Sequence, residues 1–117
     1  MSDADADCLF CRIVAGAIPS TRVYEDEDVI AFHDITPVAP THVLVIPRRH
    51  VADAHALTLD DGPLLTRLFA AARSVADASG LEGGYRIVTN IGEDGGQSVA
   101  HLHLHVLGGR PMTWPPG

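Results

Sequence analysis

The chain predicts an α+β domain in which a five-stranded antiparallel sheet is accompanied by two helices. Three observations lead there. Apolar residues recur at helical spacing in two stretches, short β-branched or alternating runs occur in five, and the order lacks the βαβ rhythm that a parallel sheet requires. At 117 residues, 46% of them hydrophobic, the sequence suffices for one ordinary core, so a single domain over 8–117 is expected. The opening MSDADAD, residues 1–7, is acidic with no apolar run behind it and reads as a frayed tail rather than a signal peptide.

From Cys8 to Ala17, Leu9, Ile13 and Val14 recur at helical spacing until Gly16 and Pro19 stop the run. Thr21–Glu25 and Val29–His33 read as strands around the acidic turn Glu25-Asp26-Glu27-Asp28, a solvated hairpin tip. Two prolines make 34–40 a loop. His42–Ile46 is β-branched and ended by Pro47, as suits a strand buried in the sheet. The long helix follows: Asp60 and Asp61 can cap it, Pro63 fits its first turn, and Leu64, Leu65, Leu68, Phe69, Ala72, Val75 and Ala76 form one apolar stripe before Gly80. Tyr85–Ile91 and Leu102–Leu107 complete the strands, with a Gly-rich turn from Gly92 to Ser98 between them and an extended tail, PMTWPPG, after them.

Eight basic residues against fifteen acidic ones give a formal charge of −7, with no basic cluster beyond the pair Arg48-Arg49, so nucleic acid is not an expected partner. No apolar stretch reaches transmembrane length, and no membrane partner is expected either. Two cysteines without a secretory signal favour a reducing, cytoplasmic compartment. An anionic ligand of such a protein must find its counter-charge locally, in backbone N–H groups, hydroxyls and imidazoles.

His101-Leu102-His103-Leu104-His105 supplies them. In a strand the three imidazoles share one face and the leucines the other, with successive imidazoles roughly 6.6 Å apart at the backbone, two strand rises. A metal site is the competing use of His-x-His on a strand. Phosphate chemistry is favoured by the preceding turn, where Gly95 and Gly96 let backbone N–H groups point inward and Ser98 adds a hydroxyl. A neutral imidazole is a good nucleophile toward phosphorus at neutral pH, a neighbouring imidazole can protonate the leaving group, and oriented donors can stabilise the non-bridging oxygens without Mg²⁺.

His101 to Leu107 resembles the His-φ-His-φ-His-φ-φ signature of the histidine triad (HIT) superfamily, φ being apolar. Ala31-Phe32-His33-Asp34-Ile35, Ala39-Pro40-Thr41-His42, Asp94-Gly95-Gly96-Gln97-Ser98 and Trp114-Pro115-Pro116-Gly117 resemble its histidine triad nucleotide-binding branch. That resemblance implies a homodimer whose sheets join, and hydrolysis of purine nucleoside phosphoramidates through a nucleotidyl-histidine intermediate. His103 then resembles the nucleophile, Ser98 and His105 the residues that hold the phosphate and leaving group, and His42 and His101 supporting histidines. Asp34 resembles the ribose-binding carboxylate, and Phe32 and Ile35 the walls of the base pocket. His33, Asn90, Gly96 and Gln97 resemble further nucleotide contacts, with Trp114 near the partner's pocket. From the residues alone, Phe32 and Ile35 serve equally as core and Asp34 as a loop cap. Two other functions stay open: hydrolysis of dinucleoside polyphosphates, and nucleotide sensing with little turnover.

Cys8-Leu9-Phe10-Cys11 resembles bacterial members of the superfamily, which often bind zinc; the family pattern implies His50 and His101 as the other two ligands of a structural zinc. As a redox pair the motif lacks its usual βαβ setting.

Overall fold

The computed structural model describes residues 7–117; of the expected N-terminal tail, residues 1–6 lie outside the described residues. Helix α1 (Leu9–Val14) is followed by strands β1 (Arg22–Glu25), β2 (Val29–His33) and β3 (Thr41–Pro47), then helix α2 (Gly62–Ala78), β4 (Arg86–Val88) and β5 (Leu104–Gly108). All neighbouring strands are antiparallel in the order β1-β2-β3-β5-β4, the five-stranded α+β sheet that the sequence predicts.

Strand alternation divides the core in two. Val29 and Ala31 of β2, Val43 and Val45 of β3, and Leu104 and Val106 of β5 face α2, meeting Leu68, Ala72 and Val75. The intervening Ile30, Phe32, Leu44 and Ile46 face α1, meeting Phe10 and Ile13. Both sheet faces are therefore covered, which is why β3 is buried almost end to end. The histidines of the 101–105 segment lie on the α1 face, since Phe10 packs edge-on against both His101 and His103.

Several boundaries differ from expectation. Strand β4 ends at Val88 instead of Ile91, because the Thr89 hydroxyl turns to donate to the His103 carbonyl. Strand β5 begins at Leu104 instead of Leu102, because the Leu102 N–H is taken by the Val51 carbonyl. Helix α1 is shorter than 8–17 and is capped by the Cys8 sulfur, which accepts from the Cys11 N–H at 3.2 Å. Asp61 precedes α2 but does not cap it with its side chain; that carboxylate closes a capping box with Thr58 and pairs with Arg49. Leu65 and Phe69 leave the buried stripe of α2 and are 39% and 46% exposed, while Ala71 takes a core position. The acidic turn is a hairpin tip, tightened by Asp26 accepting from the N–H groups of Asp28 and Val29. Among the described residues no helix is long and apolar enough to cross a membrane.

Candidate active site and metal cluster

His103 is held by its own chain. Its Nδ1 lies 2.7 Å from the His101 carbonyl oxygen, which can only accept, so Nδ1 carries the hydrogen and Nε2 keeps its lone pair. The ring is buried against Phe10, with centroids 5.1 Å apart, and lines a cavity of about 270 Å³ between α1, the end of β2 and the start of β5.

His105, with its ring centroid 4.9 Å from that of His103, belongs to a second chain of hydrogen bonds. The Val38 N–H donates to His42 Nδ1 at 3.2 Å, which leaves the hydrogen of neutral His42 on Nε2. That nitrogen stands 2.9 Å from His105 Nδ1 and 3.4 Å from Asp34 Oδ2. His105 Nδ1 therefore accepts and its hydrogen sits on Nε2, a buried atom without a hydrogen-bond partner among the described residues. By spacing, Asp34, His42 and His105 would also suit a cation. The Val38 N–H decides against it, since a metal on His42 Nε2 would put the ring hydrogen on Nδ1 and set two donors face to face. Burial lowers the pKa of His42 against the opposing pull of Asp34. His105 is pushed down to about 4, first by burial and then by the neighbouring histidines. Both rings are neutral at pH 7.

Phe32, His33, Asp34, Ile35 and Ser98 line the same cavity as His103 and His105. Phe32 is buried against Phe10, whereas Ile35 stands 97% exposed at the rim. Asp34 combines two uses: Oδ1 caps the Thr36 N–H at 2.8 Å and Oδ2 faces His42. Asn90, Gly96, Gln97 and Trp114 do not line the cavity. Trp114 is 82% exposed in a tail tethered by Arg86, which donates to the Thr113 carbonyl. The expected inward N–H groups of the glycine turn are spent on closing it, Gly96 on the Glu93 carbonyl and Gln97 on the Gly92 carbonyl. Gly96 needs its freedom for a φ of +83°, and at Gly95 any Cβ would collide with the Ile91 carbonyl oxygen. The remaining apolar wall consists of Leu9, Phe10, Ile13, Ile18, Pro19, Leu44 and Val99, residues that carry no mark of a site in the sequence.

A match to the HIT domain family model runs over residues 15–112. The chain belongs to the HIT domain family. Among its relatives, a 14 kDa zinc-binding protein of Zea mays is 48% identical over 118 residues, covering 97% of this chain and 90% of that protein. An uncharacterized HIT-like protein of Synechococcus elongatus is 45% identical over 95% of this chain and 97% of its own length. The crystal structure of a HIT family hydrolase from Legionella pneumophila superposes with a TM-score of 0.93 at 53% identity, covering 95% of this chain and all of that one. A histidine triad protein from Clostridium difficile gives 0.88 at 41% identity, covering 92% and 94%.

This HIT chain also gathers Cys8, Cys11, His50 and His101, whose donor atoms all lie within 4.8 Å of one another. His101 Nδ1 is 3.3 Å from Cys8 Sγ and 3.4 Å from Cys11 Sγ, and His50 Nδ1 is 3.2 Å from Cys11 Sγ. Tetrahedral ligands 2.0–2.3 Å from a zinc ion stand roughly 3.5 Å apart, so the spacing fits. The tautomer fits too: His101 Nε2 lies 2.9 Å from the Pro47 carbonyl oxygen and must donate there, which turns the Nδ1 lone pair toward the sulfurs.

Proposed function

We propose that the protein is a hydrolase that cleaves purine nucleoside phosphoramidates, of the AMP-amine or AMP-lysine type, through a nucleotidyl-histidine intermediate. The observation that carries this reading is the opposed protonation of two neighbouring imidazoles: His103 offers a lone pair at Nε2 and His105 an N–H at Nε2, on one cavity wall. One is a nucleophile and the other an acid.

In the first step His103 Nε2 attacks phosphorus, the P–N bond breaks, and the amine leaves with the proton of His105 Nε2. Two neutral rings cannot supply that proton without forming an imidazolate, so the His42–His105 pair takes up one proton as the anionic substrate enters, at His42 Nδ1 and at the expense of the bond from the Val38 N–H. A phosphate charge beside the rings offsets the burial that otherwise keeps them neutral. Asp34 Oδ2, beside His42, stabilises the same charge. In the second step water attacks phosphorus, His105 takes its proton, and the P–N bond to His103 breaks to release the nucleoside monophosphate. The His101 carbonyl holds the Nδ1 hydrogen throughout and stabilises the positive charge that His103 gains on attack.

In this reading Ser98 and His105 bind the phosphate, Asp34 the ribose, and Phe10, Ile13, Phe32 and Ile35 the purine; no Mg²⁺ is required. Cys8, Cys11, His50 and His101 hold a structural zinc ion, which ties α1 to the histidine segment and contributes no open coordination position. A homodimer joined through the sheets completes the assembly.

His103→Ala should abolish turnover of an adenosine phosphoramidate and leave AMP binding within about threefold, and brief reaction of wild type should leave AMP on His103. Substantial residual turnover, or an adduct on another residue, overturns the assignment. Faster cleavage of diadenosine polyphosphate than of the phosphoramidate would assign the other hydrolytic class. Turnover far below about 1 s⁻¹ on every nucleotide amide would indicate a sensor.

A further inference from the structure

Gln97 is the one residue of the 92–98 turn whose side chain is bonded on every side. Its Oε1 accepts from the Gly92 N–H at 2.9 Å, and its Nε2 donates to the Ala52 carbonyl at 2.8 Å and the Val99 carbonyl at 3.0 Å. One backbone donor and two backbone acceptors fix which end of the amide is oxygen, and both N–H hydrogens are used. The main chain adds a fourth link, Gln97 N–H to the Gly92 carbonyl at 3.0 Å. These bonds join three separate pieces of chain. Gly92 opens the turn. Ala52 lies two residues beyond His50, and its neighbour Val51 accepts from Leu102 N–H, inside the histidine segment. Val99 is a wall of the cavity.

Ser98 stands between two of the bonded residues, itself exposed and, among the described residues, without a hydrogen bond to hold its position. Its backbone is fixed from the front by Gln97 and from behind by the Val99 carbonyl, which the same side chain grips.

We infer that Gln97 is a positioning residue for phosphate: its amide makes no contact with the nucleotide but staples the glycine turn to the 51–52 segment and so aims Ser98 at the phosphate position beside His103. This rests on the reading of Ser98 as a phosphate ligand. The ligand whose recognition depends on the staple is a nucleoside monophosphate or its ester or amide, and the bare nucleoside is indifferent to it.

The test uses the metal-loaded full chain, with calorimetric affinities for AMP and for adenosine and amide hydrogen exchange of the ligand-free protein. Gln97→Ala removes all three side-chain bonds. Gln97→Glu keeps the length and the acceptor but sets a carboxylate oxygen against two carbonyls, and serves if the alanine variant folds poorly. Both should weaken AMP by about tenfold, the loss of one or two net hydrogen bonds at the phosphate. Adenosine should stay within about twofold, and exchange at the amides of Gly92 and residue 97, the two N–H groups that close the turn, should quicken before any ligand is added. A purely structural loss would weaken AMP and adenosine alike, and that result overturns the inference, as does unchanged AMP affinity. Weaker AMP binding with unaltered exchange in the free protein would mean that Gln97 touches the nucleotide directly, which also overturns it. If wild type binds AMP no tighter than adenosine, the phosphate reading of Ser98 fails first and takes this inference with it; if wild type does and Gln97→Ala retains the difference, only the staple fails.

Discussion

At the scale of single residues, what separates the histidines of this site is the partner that each ring nitrogen is given. His101, His103 and His105 have the same side chain on the same face, yet the Pro47 carbonyl, the His101 carbonyl and the His42 ring leave them respectively a lone pair at Nδ1 facing the sulfurs, a lone pair at Nε2 and an N–H at Nε2. Backbone groups set two of the three outcomes directly and the third through Val38 and His42. Keeping His105 neutral has a consequence for stability. An unfolded chain protonates this residue near pH 6.5, whereas in the folded protein the value is about 4, so between those limits the unfolded state binds more protons. The contribution is complete above about pH 6.5 and is lost as pH falls toward 4; His42 acts in the same direction. Thermal melts of wild type should therefore fall more steeply over that interval than those of His105→Gln, which carries no titrating ring, although the variant's absolute midpoint is lower. Parallel curves would show that His105 is not the group held neutral.

At the scale of elements, α1 has the most to do for its length. Six residues cap the sheet's histidine face, wall the cavity through Leu9, Phe10 and Ile13, and bring Cys11 beside Cys8 and the two metal-type histidines. Double substitution of Cys8 and Cys11 by serine should abolish binding of about one zinc per chain and lower the melting temperature, while turnover falls only modestly. Metal analysis of protein purified without chelator, paired with calorimetry, checks this. Zinc that survives both substitutions places the metal elsewhere, and chelation that stops turnover with the fold intact ends the structural role. The double function of α1 explains what was legible in the sequence and what was not. Strict alternation from His101 to Val106 announces a two-faced segment, and the four cluster residues are marked by chemistry that few other uses explain. Apolar residues at helical spacing carry no such mark: Phe10 and Ile13 look the same whether they fill a core or line a pocket, and here they do both. The ends of β4 and β5 were also hidden, because the groups that end their ladders, the Thr89 hydroxyl and the Val51 carbonyl, are a side chain and a remote stretch of irregular backbone. Gln97 illustrates the same limit, since a sequence position beside the cavity-lining Ser98 does not reveal that its amide is consumed by backbone.

At the scale of the whole molecule, one side of the fold is left without cover. Strand β4 is an edge of the sheet and only three residues long, its outer backbone groups unpaired by any other strand among the described residues. Helix α2 carries Leu65 and Phe69 outward, half-exposed at positions that the helical period places one turn apart, and Tyr85 and Ile91 flank the edge strand at 39% and 45% exposure. A second copy related by a two-fold axis supplies the same set of groups to itself, so β4 can pair with β4 and α2 can pack on α2 without any further surface being invented. This is the physical ground for the proposed homodimer and for expecting the exposed Trp114 tail to act across it. Light scattering at micromolar concentration should give twice the mass of one chain. Phe69→Glu, which buries an unpaired charge only if the surface is an interface, should halve that mass and leave the monomer folded, since Phe69 contributes nothing to the buried core. A single-chain mass for wild type would refute the dimer outright, and a dimer that tolerates Phe69→Glu would move the interface off α2. Removal of Trp114 and the residues after it gives an independent reading, because a tail that reaches the partner's cavity should change selectivity among leaving groups in the dimer and have no such effect in the Phe69→Glu monomer.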